Sequence, residues 1–315
     1  MLANMLSIVI PAFNEEDNIA NVVKATLPEA QKTGMDYEII IIDDGSNDDT
    51  WNAIKGISTQ NPIIKGIKLS RNFGKESAIC AGLEQSRGDV VVIMDCDLQH
   101  PPHYIPEMVN VWRETGADIV ECVKQNRSAE SLVNRAGAFT FYKIINWLSG
   151  YDLNGASDFK LLNRSAVDSW KAMPERNLFF RGMSRWLGFH RETIEITIAD
   201  RTAGTSAWSF FRLIGLAVTA VTSFSSLPLR LVTIIGALFL VLALGLGGQT
   251  LYMFISGKAV TGFTTVILLL LIIGSLLMLS LGIIGEYIAA IYREVKQRPR
   301  YLVSERTFTQ SARAE

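Results

Sequence analysis

The sequence predicts an α/β domain built on a mostly parallel sheet, followed by a pair of helices able to cross a lipid bilayer. Three observations carry this expectation. Residues 1 to about 200 alternate short apolar runs with amphipathic stretches, the pattern of strands alternating with the helices that cover them. Composition shifts abruptly near Pro228. Beyond it no charged residue stands between Arg230 and Lys258, and none between Lys258 and Glu286.

Taken in order, Leu6–Ile10, Tyr37–Ile42, Ile63–Leu69, Val90–Met94 and Asp118–Val123 read as strands. Asp17–Gln31, Asp48–Thr59, Glu76–Ser86 and Ile105–Thr115 read as the amphipathic helices between them. Trp208 to Phe224 carries only Arg212 as a charge, which fits an interfacial helix with its aromatic side toward acyl chains. A helix rises ~1.5 Å per residue, so each charge-free stretch can cross a ~30 Å hydrocarbon core. The expected organisation is a catalytic-type domain over 1–204 and an interfacial segment over 205–228. Two membrane helices within 229–292 follow, at about 231–255 and 263–288, and then a basic tail over 293–315. A soluble apolar hairpin is the alternative, and it would need both helices buried on every face.

Arg293, Lys296, Arg298 and Arg300 follow the second helix, whereas the turn holds Lys258 alone. Positive-inside then places both termini and the first domain in the cytoplasm, on a multi-pass inner (plasma) membrane protein. Gly236, Gly245, Gly247 and Gly248 permit close helix contact, so a homo-oligomer is expected, with a tetramer as one candidate. Met1 leads straight into Leu6–Ile10 without a basic region and long apolar core, so no secretory signal peptide is expected. Asn126 and Asn163 open glycosylation sequons that, on this topology, never meet lumenal machinery.

The 315 residues suit about two units. Thirty Lys+Arg against 31 Asp+Glu give a net charge of −1, which argues against a nucleic-acid partner held by general electrostatics. Charged residues make up 19% and apolar ones 49%, against roughly 25% charged in soluble domains, so a lipid bilayer is an expected partner. Cys80, Cys96 and Cys122 show no metal-type spacing, which leaves neither a disulfide framework nor a zinc site and fits a reducing compartment. His100, His103 and His190 show no zinc spacing either and receive no catalytic role.

In an open parallel sheet, ligands bind beyond the carboxyl ends of the strands. The first strand is followed by Pro11-Ala-Phe-Asn-Glu15-Glu16, the second by Asp43-Asp44-Gly45-Ser46, and the fourth by Asp95-Cys-Asp97-Leu-Gln99-His100-Pro-Pro. Asp95 and Asp97 can offer carboxylate oxygens to one hard cation, with Gln99 adding a carbonyl oxygen. Mg2+ or Mn2+ bridging a nucleoside diphosphate suits such donors. A loop or helix-capping role remains open for each carboxylate singly. No Gly-x-Gly-x-x-Gly follows the first strand and no P-loop occurs.

These runs, with Arg71-Asn-Phe-Gly-Lys75, resemble the family-2 glycosyltransferases of GT-A fold. They are most similar to the polyprenyl-phosphate sugar transferases, the group of dolichol-phosphate mannose synthase and the bactoprenol glucosyltransferases. Ser223-Phe-Ser-Ser-Leu-Pro-Leu-Arg230, Gly285-Glu-Tyr287 and Arg298-Pro-Arg-Tyr301 resemble the two-helix bacterial members. The resemblance implies that Pro11, Asn14, Glu15, Asp43 and Asp44 line the nucleotide pocket. It places Asp95, Asp97 and Gln99 on the metal and diphosphate, with Asp97 also a catalytic candidate, and Arg201 on the diphosphate. Asp158, within Asn154-Gly-Ala-Ser-Asp158-Phe-Lys160, is the candidate base or orienting carboxylate, with a turn-capping role as its alternative. Two anionic substrates need cations to hold them together, and Lys124, Arg127 and Arg135 are the candidates for the acceptor phosphate.

One departure is Ala207, where members of the group often have Lys in Gly-x-Ser-Lys; Arg201 or Lys75 is the candidate replacement. The implied activity is inverting transfer of one hexose, with UDP-glucose or another UDP-sugar as the expected donor, to polyprenyl (undecaprenyl) phosphate. Two rivals stand beside it: a membrane-anchored sugar-nucleotide-binding protein without turnover, and a processive polysaccharide synthase. Against the latter, Arg185-Trp186 lacks the glutamine of Gln-x-x-Arg-Trp, with Gly182 in its place.

Overall fold

Ile39, Ile40, Ile41 and Ile42 are all fully buried, because the strand that carries them lies inside a sheet covered on both faces. The structure, a computed structural model, describes residues 5–124, 157–173, 175, 180–197, 227–257 and 262–309. Its sheet domain opens with β1 (Met5–Ala12), α1 (Glu16–Lys32), β2 (Asp36–Asp43), α2 (Thr50–Gln60), β3 (Ile64–Leu69), α3 (Lys75–Gln85) and β4 (Val90–Ile93). A short turn of 3-10 helix at Pro102–Tyr104 leads into α4 (Ile105–Thr115), then β5 (Ile119–Lys124). All nine expected elements are present, with ends displaced by one or two residues at most. Further on come β6 (Lys160–Asn163), α5 (Arg164–Ala172), α6 (Phe180–Trp186) and β7 (Arg191–Ile196). Strands β6 and β7 escape sequence reading because one has only Leu161 and Leu162 between Lys160 and Asn163 and the other alternates charge with Ile and Thr.

The strands lie in the order β7-β5-β6-β4-β1-β2-β3-β8. β1 pairs in parallel with both β2 and β4, β2 with β3, and β5 with β7. β6 runs antiparallel between β4 and β5. The order therefore reverses at β1, and a crevice is expected beyond the carboxyl ends of β1, β2 and β4. Local chemistry sets the element ends. Gly116 takes φ 65° after α4 and donates its N–H to the Trp112 carbonyl at 3.0 Å, a left-handed stop that glycine adopts without penalty. Asn163 caps α5 by accepting from the Ala166 N–H at 2.8 Å and donates its amide to Asp118 at 2.7 Å, so this sequon asparagine has a structural task.

Part of the stretch 293–315, expected as a basic tail, is a strand in the structure. Residues Val303–Arg306 form β8, antiparallel to β3, and residues 298–309 group with the sheet. The physical reason is the open edge of β3, whose backbone groups gain a partner. Trp51 Nε1 donates to Glu305 Oε2 at 3.1 Å, and Gly66 exchanges backbone and side-chain bonds with Thr307.

The second unit contains α7 (Leu227–Ile255) and α8 (Phe263–Val295). Pro228–Ile255 and Leu269–Val295 are long and apolar enough to span a membrane. Leu238, Leu244, Leu270 and Leu271 are each more than 60% exposed, so the apolar faces that a soluble hairpin would bury are open. Hydroxyls of Thr233, Thr250, Ser275 and Ser280 donate to carbonyls one turn back, which satisfies them where water is absent. The expected interfacial segment lies outside the described residues except for its last two, which begin α7.

Candidate active site

The loops after β1, β2 and β3 interlock through short polar side chains. Asn14 takes φ 54°, donates its N–H to Ser46 Oγ at 2.9 Å and accepts from the Asn47 N–H at 3.0 Å. Glu15 donates its N–H to Thr50 Oγ1 at 2.9 Å, and its carboxylate accepts from Asn18 at 2.6 Å. Pro11 is buried inside β1 opposite Ile42, so it shapes the strand end. Gly45, at φ 69°, lies against the Arg71 backbone so closely that any Cβ would collide.

Asp43 and Asp44 have different environments. Both oxygens of Asp44 accept backbone N–H groups, from Phe73 and Gly74, each at 2.8 Å. Burial raises the Asp44 carboxyl above its ordinary range despite these bonds. Geometry thus gives Asp44 the task of holding the turn before α3. Asp43 is fully buried and spends Oδ1 on the Ser46 N–H at 2.8 Å. Among the described residues its Oδ2 has no hydrogen-bond partner. A buried carboxylate oxygen left unpaired costs free energy, so it is the acceptor in this crevice most in need of a donor. Phe13, at the mouth of the same loop, is 39% exposed.

The end of β4 meets Asp158 through one cation. Lys75 Nζ lies 2.6 Å from Asp95 Oδ1 and 2.6 Å from Asp158 Oδ2. Arg181 completes the Asp158 shell, with Nε 2.8 Å from Oδ1 and the second nitrogen 3.0 Å from Oδ2. Burial alone would raise the Asp158 carboxyl, but Lys75 and Arg181 hold it well below the usual carboxylate range. Burial likewise opposes the charge on Lys75, and Asp158 and Asp95 override it, holding the ammonium above the usual lysine range. A carboxylate held in this way is a weak proton acceptor. Glu76, next along α3, is pushed up to about 7 by burial and by Asp158.

Asp97 Oδ1 accepts from the Gln99 N–H at 3.1 Å across Leu98 at φ 57°, so Gln99 helps form the turn that presents Asp97. His100 Nε2 sits 3.2 Å from Ser157 Oγ, and its Nδ1 is 3.8 Å from Asp95 Oδ2. Among the described residues no cluster of three or more His, Cys, Asp and Glu side chains is gathered for a metal. Asp95 and Asp97 are carboxylates of the kind that suits a hard divalent cation, although Asp95 Oδ1 is taken by Lys75.

Asp43, Asp95, Asp97 and Asp158 therefore lie on neighbouring strand ends. Lys124 ends β5, in register with Ile196. Arg127, Arg135, Arg201 and Ala207 lie outside the described residues. Lys75, weighed from sequence as a replacement for the missing lysine, is engaged by two carboxylates. Arg181 was not singled out by the sequence, for it stands 23 residues from Asp158 in a stretch read for Arg185-Trp186.

A doubly wound sheet with carboxylates gathered at its switch point is the architecture of a nucleotide-binding enzyme. Residues 7–170 match Glycosyl transferase family 2, and residues 227–291 match the GtrB C-terminal hairpin. The prophage bactoprenol glucosyl transferase homolog of Escherichia coli K12 is 36% identical over 300 residues, 95% of this chain and 98% of that protein. Bactoprenol glucosyl transferase of Shigella phage SfX is 36% identical over 304 residues, 96% of this chain and 99% of its own. Glucosyl-3-phosphoglycerate synthase from Mycobacterium tuberculosis, crystallised with Mn2+, UDP and glucosyl-3-phosphoglycerate, superposes with a TM-score of 0.46 at 20% identity, covering 69% of this chain and 76% of that one. The chain belongs to glycosyltransferase family 2.

Proposed function

We propose that this glycosyltransferase moves one glucose, with inversion, from UDP-glucose to polyprenyl phosphate at the cytoplasmic face of the membrane. The observation that carries this reading is the double match: sheet domain and membrane hairpin both align with bactoprenol glucosyl transferases across 95% or more of each chain. The orphaned oxygen of Asp43 supports a base with an imide N–H, as uracil has, and the exposed Phe13 ring supports a stacking face.

Asp95 and Asp97 would hold Mg2+ or Mn2+, and the ion would supply positive charge to stabilise the leaving diphosphate. The acceptor phosphate has its second pKa near ~6 and is mostly dianionic at neutral pH, so it attacks the anomeric carbon without a strong base. Asp158 then acts as an orienting carboxylate. It fixes Lys75 beside Asp95, and the fixed charges hold the donor for attack from the side opposite the diphosphate. Lys124, Arg127 and Arg135 bind the acceptor phosphate and Arg201 the diphosphate; Asn14, Glu15, Pro11 and Asp44 shape the nucleotide loop.

The chain leaves the sheet before α7 and rejoins it at β8, as an even number of crossings requires. With basic residues after α8 this favours cytoplasmic termini. A Cβ at Gly236, Gly245, Gly247 or Gly248 would meet nothing within 4 Å among the described residues, which leaves these sites open for helices of a homo-oligomer.

The test is transfer of radiolabelled sugar from a panel of UDP- and GDP-sugars to undecaprenyl phosphate, with Mg2+ or Mn2+, beside Asp97→Ala. A single labelled lipid that needs metal and Asp97 is expected with UDP-glucose. Donor binding without product would overturn the reading in favour of a binding protein, and products longer than one sugar would make it a processive synthase.

A further inference from the structure

The segment after the hairpin does more than supply an edge strand. Arg300 Nε donates to the Glu175 carbonyl at 3.0 Å, one terminal nitrogen donates to the Met173 carbonyl, and the other lies 3.2 Å from Cys80 Sγ. Tyr301 donates its hydroxyl to Glu84. One guanidinium therefore joins the middle of α3 to the chain just past α5. Those two elements lead to the two cations of Asp158: α3 begins at Lys75, and the chain beyond Glu175 reaches Arg181 in α6. A further bond ties them at the site end, where Glu76 accepts from the Phe180 N–H at 2.8 Å.

Among the described residues no hydrogen bond or ion pair joins Arg300 to the site carboxylates or to the loops around Asp43. Its bonds run between α3, which begins at Lys75, and Met173 and Glu175, which precede Arg181 in the chain. A planar fork with donors in fixed directions suits this task better than lysine, which has a single point of attachment.

We propose that Arg300, with Tyr301, is a positioning residue of the transfer site, setting the distance between Lys75 and Arg181 and so the placement of Asp158. The segment that follows the second membrane helix thereby becomes part of the transfer machinery. This inference rests on the glucosyl-transfer reading.

The experiment compares Arg300→Lys, Arg300→Ala and Tyr301→Phe with the unmodified full-length protein in detergent. Steady-state transfer, thermal unfolding and backbone hydrogen exchange are recorded together. Arg300→Lys is expected to lower kcat by about tenfold or more while donor KM stays within about twofold, since the nucleotide loops are untouched. Exchange at residues 75–77 and 180–186 should quicken in step, and Tyr301→Phe should show a smaller change in the same direction. A lowered unfolding temperature with kcat and exchange at those residues unchanged would make Arg300 merely structural and overturn the proposal. If the unmodified protein transfers no sugar, the transfer reading fails on its own. Exchange in Arg300→Lys then still decides whether the clasp positions Lys75 and Arg181.

Discussion

Lys75 stands between two carboxylates that the chain keeps far apart, 2.6 Å from Asp158 and 2.6 Å from Asp95. Asp158 is held on its other side by Arg181, so the site carries an alternating row of charges. Fixed charges of this kind act in the transition state without reorganising.

Replacing Lys75 by Met removes the shared cation and leaves Asp95 and Asp158 to repel one another. The expected loss in kcat is about 10²-fold, the usual cost of deleting one preorganised electrostatic group. Single-turnover transfer checks this, and a variant within about twofold of the original would show that the row is not used in catalysis.

Asp43→Asn keeps an oxygen for the Ser46 N–H but replaces the orphaned acceptor with a donor. Donor affinity should fall by about tenfold or more, as a hydrogen bond to a charged group is worth ~1.5–3 kcal/mol. Isothermal titration with UDP reads the effect directly. Unchanged affinity would place the base elsewhere.

Glu76 and Asp158 give stability opposite pH dependences. Glu76 moves from an ordinary 4.5 up to about 7 on folding, so its contribution is complete below the unfolded value and is lost as pH rises through about 7. Asp158 is depressed. Its contribution is complete above its ordinary 3.8 and is lost as pH falls through its folded value. Glu76→Gln, which retains an acceptor for the Phe180 N–H, should abolish the decline between 4.5 and about 7. Thermal unfolding across that range tests it, and an unchanged slope would reassign the decline to another group.

Gly82 faces the sheet from α3, and a Cβ there would collide with Val9 and press on Ile42 at 2.8 Å. Gly82→Ala is expected to destabilise the sheet domain by about 1–3 kcal/mol through overpacking, although alanine is the better helix former. Loss of unfolding temperature measures the balance, and a gain would mean that the sheet yields.

Much of the site was legible because its parts are contiguous. Asp43, Asp95 and Asp97 each sit directly after an apolar run, and the strand-end rule draws them together without coordinates. Asp44 shows the limit of that reading. Its neighbour in sequence retains an open oxygen, whereas Asp44 is consumed by the turn at Phe73 and Gly74.

By itself the sequence determined the alternating half, the hairpin and the family, because periodicity, charge-free length and short motifs are local properties. Tertiary structure alone decided that Asp158 meets Lys75 from 83 residues away, that Arg300 reaches Cys80 across 220, and that four residues of the expected tail form an eighth strand. Partners at such separations are chosen by burial and by unpaired backbone at a sheet edge. Those demands arise only once the strands have assembled.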